Sequence, residues 1–130
     1  MNFFSFVQIG VKLMIRRQNE YGSIEISRAV FTNLTGEAAT NCFGVKGMTE
    51  RSVTDGLVHL LKSEFMGKGV HVVYNPDNTI SIELHIAVDQ GVNIPVVCES
   101  IMDEVRYRIT KGTDIGVKRI DIYVDSMMLG

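Results

Sequence analysis

The sequence predicts an α+β fold, a two-layer sandwich in which a mixed sheet carries helices on one face. Apolar residues alternate with mostly polar ones along residues 79–89, the period-two pattern of a half-buried strand. Gly91 then supplies a turn, Asn93 and Pro95 follow as a helix cap and a first-turn proline, and residues 94–111 carry an apolar stripe at helical spacing. The predicted order of secondary-structure elements is β-α-(β/α)-β-β-α-β, which requires two packed layers.

Length and composition indicate one globular domain. The chain has 130 residues, 45% of them hydrophobic and 22% charged, and a net charge of −2. This charge gives no attraction of the whole molecule to nucleic acid or to anionic lipid. Cys42 and Cys98 lack CxxC spacing or a metal-type cluster, which favours a reduced, cytoplasmic protein.

The sequence divides into an apolar extension at 1–20, a single α/β domain at 21–125 and a short tail at 126–130. Residues 1–14 hold mostly apolar side chains but are shorter than the roughly twenty residues of a spanning helix. Three interpretations stay open for this stretch. It covers an apolar patch of the domain or of a neighbouring subunit, it lies on a membrane surface, or the true start is Met14.

The first half of the domain contains short elements. A strand is predicted at 21–27, and Ser27 is expected to cap a helix that ends near Cys42. Gly36 lies inside this helix, so tertiary packing must offset its low helix propensity. A brief strand at 45–48 and a short helix at 55–65 are predicted next.

The second half is a hairpin followed by a helix and a strand. A three-residue turn at 76–78 joins strands 70–75 and 79–89. The resulting register pairs Val70 with Leu84, Val72 with Ile82 and Tyr74 with Ile80. Gly112 or Gly116 is expected to end the helix at 94–111. The last strand, 117–124, should contain a bulge near Lys118 and Arg119, because Val117 is out of phase with its later apolar residues.

Histidines provide the first candidate chemistry. His71 and His85 are predicted on the polar face of the hairpin, with His71 opposite Glu83. A metal site needs a third converging ligand. None is evident, so we predict a solvated His71–Glu83 pair and no metal site. His59, on the predicted short helix, has no serine or cysteine partner that the sequence identifies.

Thiols and carboxylates are also more consistent with structural roles. Cys42 and Cys98 fall on core stripes, where small buried hydrophobes are expected rather than reactive thiols. Asp121 and Asp125 lie on one strand about 13 Å apart, too far for a direct acid–base pair. A solvated face is the expected setting. The sequence therefore predicts no catalytic residue and no cofactor.

Residues 44–47 form a G-x-x-G motif with Gly44, Lys46 and Gly47. In KH domains such a loop joins two helices and clamps a nucleic-acid backbone. The order of elements around it resembles that module, but no basic stripe surrounds Lys46. A helix cap and a tight turn are the favoured interpretation, and nucleic-acid binding through these three residues is kept as the alternative.

Several segments taken together resemble the alkaline shock protein family, the envelope stress response proteins of Gram-positive bacteria. They are YGSIEIS at 21–27, NCFGVKGM at 41–48, DGLVHLL at 55–61, GVHVV at 69–73, IELHIAVDQGVNIPVV at 82–97 and GVKRIDIYV at 116–124. The resemblance implies a small cytoplasmic α/β protein without catalytic residues. It also implies two possible partners, a separate membrane-anchoring protein and a dihydroxyacetone-kinase-like protein.

We therefore expect a non-enzymatic scaffold or regulatory protein of the bacterial envelope stress response. It would act through self-association, as a homo-oligomer, and through protein partners, by strand pairing at exposed sheet edges. A cytoplasmic location is expected, with membrane association through a partner. KH-like binding of single-stranded nucleic acid remains the alternative function.

Overall fold

The computed structural model describes residues 4–9, 12–51 and 56–129, and these residues form an α+β fold. The first four strands are β1 (Phe4–Ile9), β2 (Lys12–Asn19), β3 (Gly22–Ser27) and β4 (Val45–Arg51). The others are β5 (Val58–Leu60), β6 (Val70–Tyr74), β7 (Ile80–Asp89) and β8 (Val117–Met128). The helices are α1 (Arg28–Thr40), α2 (Ile94–Thr113) and a 3-10 helix at Ser63–Gly69.

Strand β7 is the centre of the main sheet. Strand β8 pairs with it in parallel along its full length. On the opposite edge, β6 pairs antiparallel with the first half of β7 and β4 pairs antiparallel with the second half. Strand β5 extends this sheet beyond β4. The sheet is mixed, as predicted.

The core lies between this sheet and the two α-helices. Alternate residues of β7 face the helices and are almost completely buried: Ile80, Ile82, Leu84, Ile86 and Val88. Four α2 residues at helical spacing pack against them, namely Val97, Ile101, Val105 and Ile109. Helix α1 contributes Phe31, Ala38 and Ala39. The predicted two-layer arrangement is confirmed.

The local signals around β7 are confirmed in detail. The three predicted pairs of the β6–β7 hairpin occur in the predicted register. Asn93 caps α2, because its Oδ1 accepts a hydrogen bond from the amide of Val96 at 3.2 Å. Gly91 adopts a φ of 93°, the left-handed conformation that its turn requires.

The end of α2 differs from the prediction of a terminal Gly112 or Gly116. The helix continues to Thr113, and Asp114 takes the left-handed position with a φ of 62°. The Thr113 hydroxyl donates to the carbonyl of Ile109 and accepts from the amide of Ile115. This side chain closes the helix end, so a glycine is not needed there.

Strand β8 contains the predicted bulge and a second one. The register skips Lys118, since Val117 pairs with Ile80 and Arg119 pairs with Ser81. It skips again at Asp125, between Val124 and Ser126. The strand then continues to Met128, four residues beyond the predicted end.

The predicted helix at 55–65 is wrong where the structure describes it. Residues 58–60 form β5, and the amide of Leu61 donates to the carbonyl of Met48 at 2.8 Å. Gly56 has a φ of 70°, which breaks a helix. Leu57, Leu60 and Phe65, three apolar residues of this segment, are 60%, 42% and 46% exposed.

The strand predicted at 21–27 exists but joins a different sheet. Strand β3 pairs with β2, which pairs with β1, in a three-stranded antiparallel sheet separate from the one around β7. The prediction of an extension at 1–20 thus covers β1 and β2, while residues 1–3, 10 and 11 lie outside the described part of the chain. No helix in the described residues combines the length and the apolar character that a membrane crossing requires.

Candidate functional site

The face of the main sheet that points away from the helices carries a polar cluster. The residues of β7 that alternate with its buried core residues project from this outer face, and they include Glu83 and His85. Their neighbours across the strands are His71 of β6 and Tyr123 of β8. With Asp125 of β8, these five residues form what we call the outer-face cluster.

His85 is the member of the outer-face cluster with the most contacts to the others. Its Nδ1 lies 2.9 Å from Oδ2 of Asp125, and its ring stacks on Tyr123 with centroids 4.8 Å apart and planes 13° from parallel. Its Nε2 lies 3.9 Å from Oε2 of Glu83. A hydrogen bond at one nitrogen and a stacked ring therefore orient the other nitrogen towards Glu83.

Asp125 is held by β4 as well as by His85. The buried hydroxyl of Thr49 donates to the same Oδ2 of Asp125 at 3.0 Å. The Asp125 side chain is only 18% exposed, so the prediction of a solvated face is wrong at this position. Asp121, in contrast, is paired with Arg119 at 2.9 Å on the exposed surface. Strand alternation placed Asp125 outward, but no sequence signal revealed the second bulge or Thr49.

Tyr123 and Glu83 interact directly. A side-chain hydrogen bond to Glu83, and then the charge of that carboxylate, raise the pKa of Tyr123 above its ordinary value. This contact orients a carboxylate beside His85.

His71 completes the outer-face cluster. It lies opposite Glu83 in the predicted register, and its ring meets that of His85 edge-on with centroids 6.3 Å apart. One potential ligand atom from each of His71, Glu83 and His85 lies within 4.8 Å of the others. No third ligand for the two histidines is evident in the sequence, whereas the structure places Glu83 in that position.

A surface cleft of about 280 Å³ opens beside the two histidines. Its lining residues are Thr49, Glu50, Lys68, His71, His85 and Asp125. The outer-face cluster offers two imidazoles and the carboxylate of Asp125 at this cleft, groups that bind cations and protons. It contains no thiol or aliphatic hydroxyl that could serve as a nucleophile.

His59 and the cysteines lie elsewhere. His59 is an exposed residue of β5 opposite Glu50, not a residue of a helix. Cys42 and Cys98 are free and half-buried, and burial raises the pKa of each thiol above its usual value. A raised pKa lowers the thiolate fraction, as expected of structural rather than reactive cysteines.

The G-x-x-G motif does not form a loop between two helices, so that part of the KH-type interpretation is wrong. Gly44 follows α1 with a φ of 89°, and an added Cβ would lie 3.0 Å from Cγ2 of Val97. Lys46 and Gly47 belong to β4, where Gly47 pairs with Ala87. The cap of α1 is Asn41, so the predicted helix cap at Gly44 is wrong; Gly44 is instead a residue of the turn that follows the helix, and Gly47 is a strand residue.

Comparisons with known proteins identify relatives across nearly the whole chain. The model of the alkaline shock protein family, described as having a "cell envelope-related function", matches residues 16–129. The chain is 30% identical to "Uncharacterized protein YloU" of Bacillus subtilis, over 88% of this chain and 96% of that protein. It is 29% identical to "Uncharacterized protein Spy1614" of Streptococcus pyogenes, over 88% and 95% respectively. "Uncharacterized protein YqhY" of Bacillus subtilis is 30% identical, over 85% and 81%. No solved structure matches the chain significantly.

Proposed function

We propose, from the premise that this chain belongs to the alkaline shock protein family of cell envelope-related proteins, that it is a non-enzymatic scaffold or regulatory protein of the envelope stress response. It acts by self-association and by binding protein partners. The observation that carries the proposal is the free edge of β8.

Strand β8 is a twelve-residue strand that pairs with β7 on one side. Within the described residues, no strand pairs with its other side. An edge of this kind presents backbone donors and acceptors to another chain. The stretch between the two bulges, residues 119–124, is as long as an average strand and can pair regularly.

The side chains of this edge support pairing with a second copy. Arg119 and Asp121 carry opposite charges on the exposed surface. In an antiparallel pairing centred on Ile120, Arg119 of each copy faces Asp121 of the other. Opposite charges across strands stabilise such pairs, whereas like charges destabilise them.

Replacing Asp121 tests this edge. The Asp121→Lys variant places a lysine opposite Arg119 at both symmetry-related positions, so the dissociation constant of the self-associated form should rise about tenfold. Glu99→Lys makes the same charge change on the exposed surface of α2 and should leave association unchanged. Sedimentation velocity over a concentration series measures both variants beside the parent chain.

Two results would contradict the proposal in different ways. Equal association of Asp121→Lys and the parent chain excludes the β8 edge as the contact. A parent chain that stays monomeric at high concentration, and that captures no partner in a native pull-down, excludes the scaffold function itself. The same pull-down with mass spectrometry tests the two proposed partners, a membrane-anchoring protein and a dihydroxyacetone-kinase-like protein.

A further inference from the structure

We propose that the outer-face cluster is a binding site for a divalent transition-metal ion, with His71, Glu83 and His85 as ligands. Asp125 orients His85 without touching the ion. This proposal is independent of self-association through β8, and it departs from the sequence-based prediction of a solvated His71–Glu83 pair.

The three ligands come from adjacent positions of one hairpin. His71 and Glu83 form a cross-strand pair, and His85 follows Glu83 by two residues, so all three project from the same face. Their nearest ligand atoms lie within 4.8 Å of one another. A tetrahedral ion with bonds of about 2.1 Å holds its ligands roughly 3.4 Å apart. Small side-chain rotations at the surface are enough to close this difference.

The hydrogen bond between His85 and Asp125 selects the nitrogen that binds the ion. An ionised carboxylate only accepts hydrogen bonds, so Asp125 receives the Nδ1 proton of the neutral ring and Nε2 keeps its lone pair. That Nε2 is the atom that lies 3.9 Å from Glu83. Metal-binding histidines are typically arranged in this way, with the second ring nitrogen bonded to a carboxylate.

Thr49 and Tyr123 also help to hold His85 in position, in addition to Asp125. The hydroxyl of Thr49 donates to Asp125, which keeps the carboxylate in position. The ring of Tyr123 stacks on the imidazole and limits its rotation. A ligand that is already oriented loses little conformational entropy when the ion binds. His71 and Glu83 are more exposed than His85, so their side chains can rotate to bring the ligand atoms to the distances that the ion requires.

The donor set indicates the class of ion. Two imidazoles and one carboxylate suit Zn²⁺, Co²⁺ or Ni²⁺, whereas Ca²⁺ and Mg²⁺ prefer an all-oxygen shell. Two of the ligands, His71 and His85, line the surface cleft, so water can reach a fourth coordination position. Three protein ligands with one open position form an accessible site rather than a closed structural one.

A Co²⁺ titration of the untagged full chain tests the site. We expect visible d–d absorption of a four-coordinate ion to appear at one equivalent and to disappear when Zn²⁺ competes. His71→Gln and His85→Gln should abolish this absorption. Asp125→Asn should weaken binding about 10–100-fold, because it removes the carboxylate that orients His85.

Two controls separate this site from adventitious binding. His59→Gln changes the third histidine of the chain and should bind Co²⁺ as the parent chain does. Binding by the cysteines would produce thiolate-to-cobalt charge-transfer bands in the near ultraviolet, which an N/O site lacks. The proposal is overturned by those bands, by no binding at one equivalent, or by unchanged binding in correctly folded His71→Gln and His85→Gln variants.

Discussion

Two buried threonines show how the partner of a hydroxyl decides its effect on stability. Thr35 of α1 is 0% exposed, and its Oγ1 has no hydrogen-bond partner among the described residues. Thr113 of α2 is 7% exposed and both donates and accepts. A buried hydroxyl without a partner costs stability, whereas a satisfied one contributes to it.

Valine substitutions at the two threonines should therefore have opposite effects. Thr35→Val keeps the side-chain shape and removes the unpaired hydroxyl, so the free energy of unfolding should rise by about 1 kcal/mol. Thr113→Val removes two hydrogen bonds and should lower it by about 1–2 kcal/mol. Urea denaturation followed by circular dichroism measures both. A loss of stability in Thr35→Val would indicate a polar partner for its hydroxyl.

At the scale of elements, close backbone contacts join β4, β6 and β7. Gly69 precedes β6, and an added Cβ would lie 2.9 Å from the carbonyl oxygen of Thr49 and 3.4 Å from that of His85. Backbone atoms cannot move as freely as the end of a flexible side chain. A glycine is therefore required where β4 and β6 meet along one edge of β7.

Alanine at two glycines tests this requirement. Gly69→Ala should lower the free energy of unfolding by about 1–3 kcal/mol, since the new methyl group forces the strands apart. Gly112→Ala, near the end of α2, meets only Cδ1 of Leu34 at 3.7 Å and should raise it by about 0.5–1 kcal/mol. Thermal or urea unfolding compares the two, and equal effects would contradict the contact at Gly69.

At the scale of the whole molecule, β7 connects every part of the main sheet except β5. It pairs with three strands, and its inward side chains form the centre of the core. Strand β5 and the 3-10 helix at Ser63–Gly69 are short and carry exposed apolar residues. The two regions should differ in local stability, because opening β7 disrupts the entire sheet.

Native-state hydrogen exchange measures this difference. Amides of β7 should exchange only through global unfolding, with the free energy found by denaturation. Amides of β5 and of the 3-10 helix should exchange at least about tenfold faster through local opening. Protection of β5 equal to that of β7 would show that the molecule opens as one unit.

Local sequence was sufficient to predict the elements around β7. Strand alternation, the Asn93 cap, the Gly91 turn and the hairpin register depend on neighbouring residues, and all are confirmed. The helix at 55–65 failed because its apolar spacing is also compatible with a short strand. The pairing of β5 with β4 stabilises the strand rather than the helix.

The sequence by itself determined the two-layer fold and the polar outer face of the hairpin, since both follow from the spacing of apolar residues along strands and helices. It also determined the position of His71 opposite Glu83, because the length of the hairpin turn fixes which residues pair. Only the tertiary structure placed β3 in a separate sheet and brought Asp125 and Thr49 to His85. Those contacts join β4, β7 and β8, which are distant in sequence. They depend on a bulge in β8 whose position the side-chain pattern does not specify.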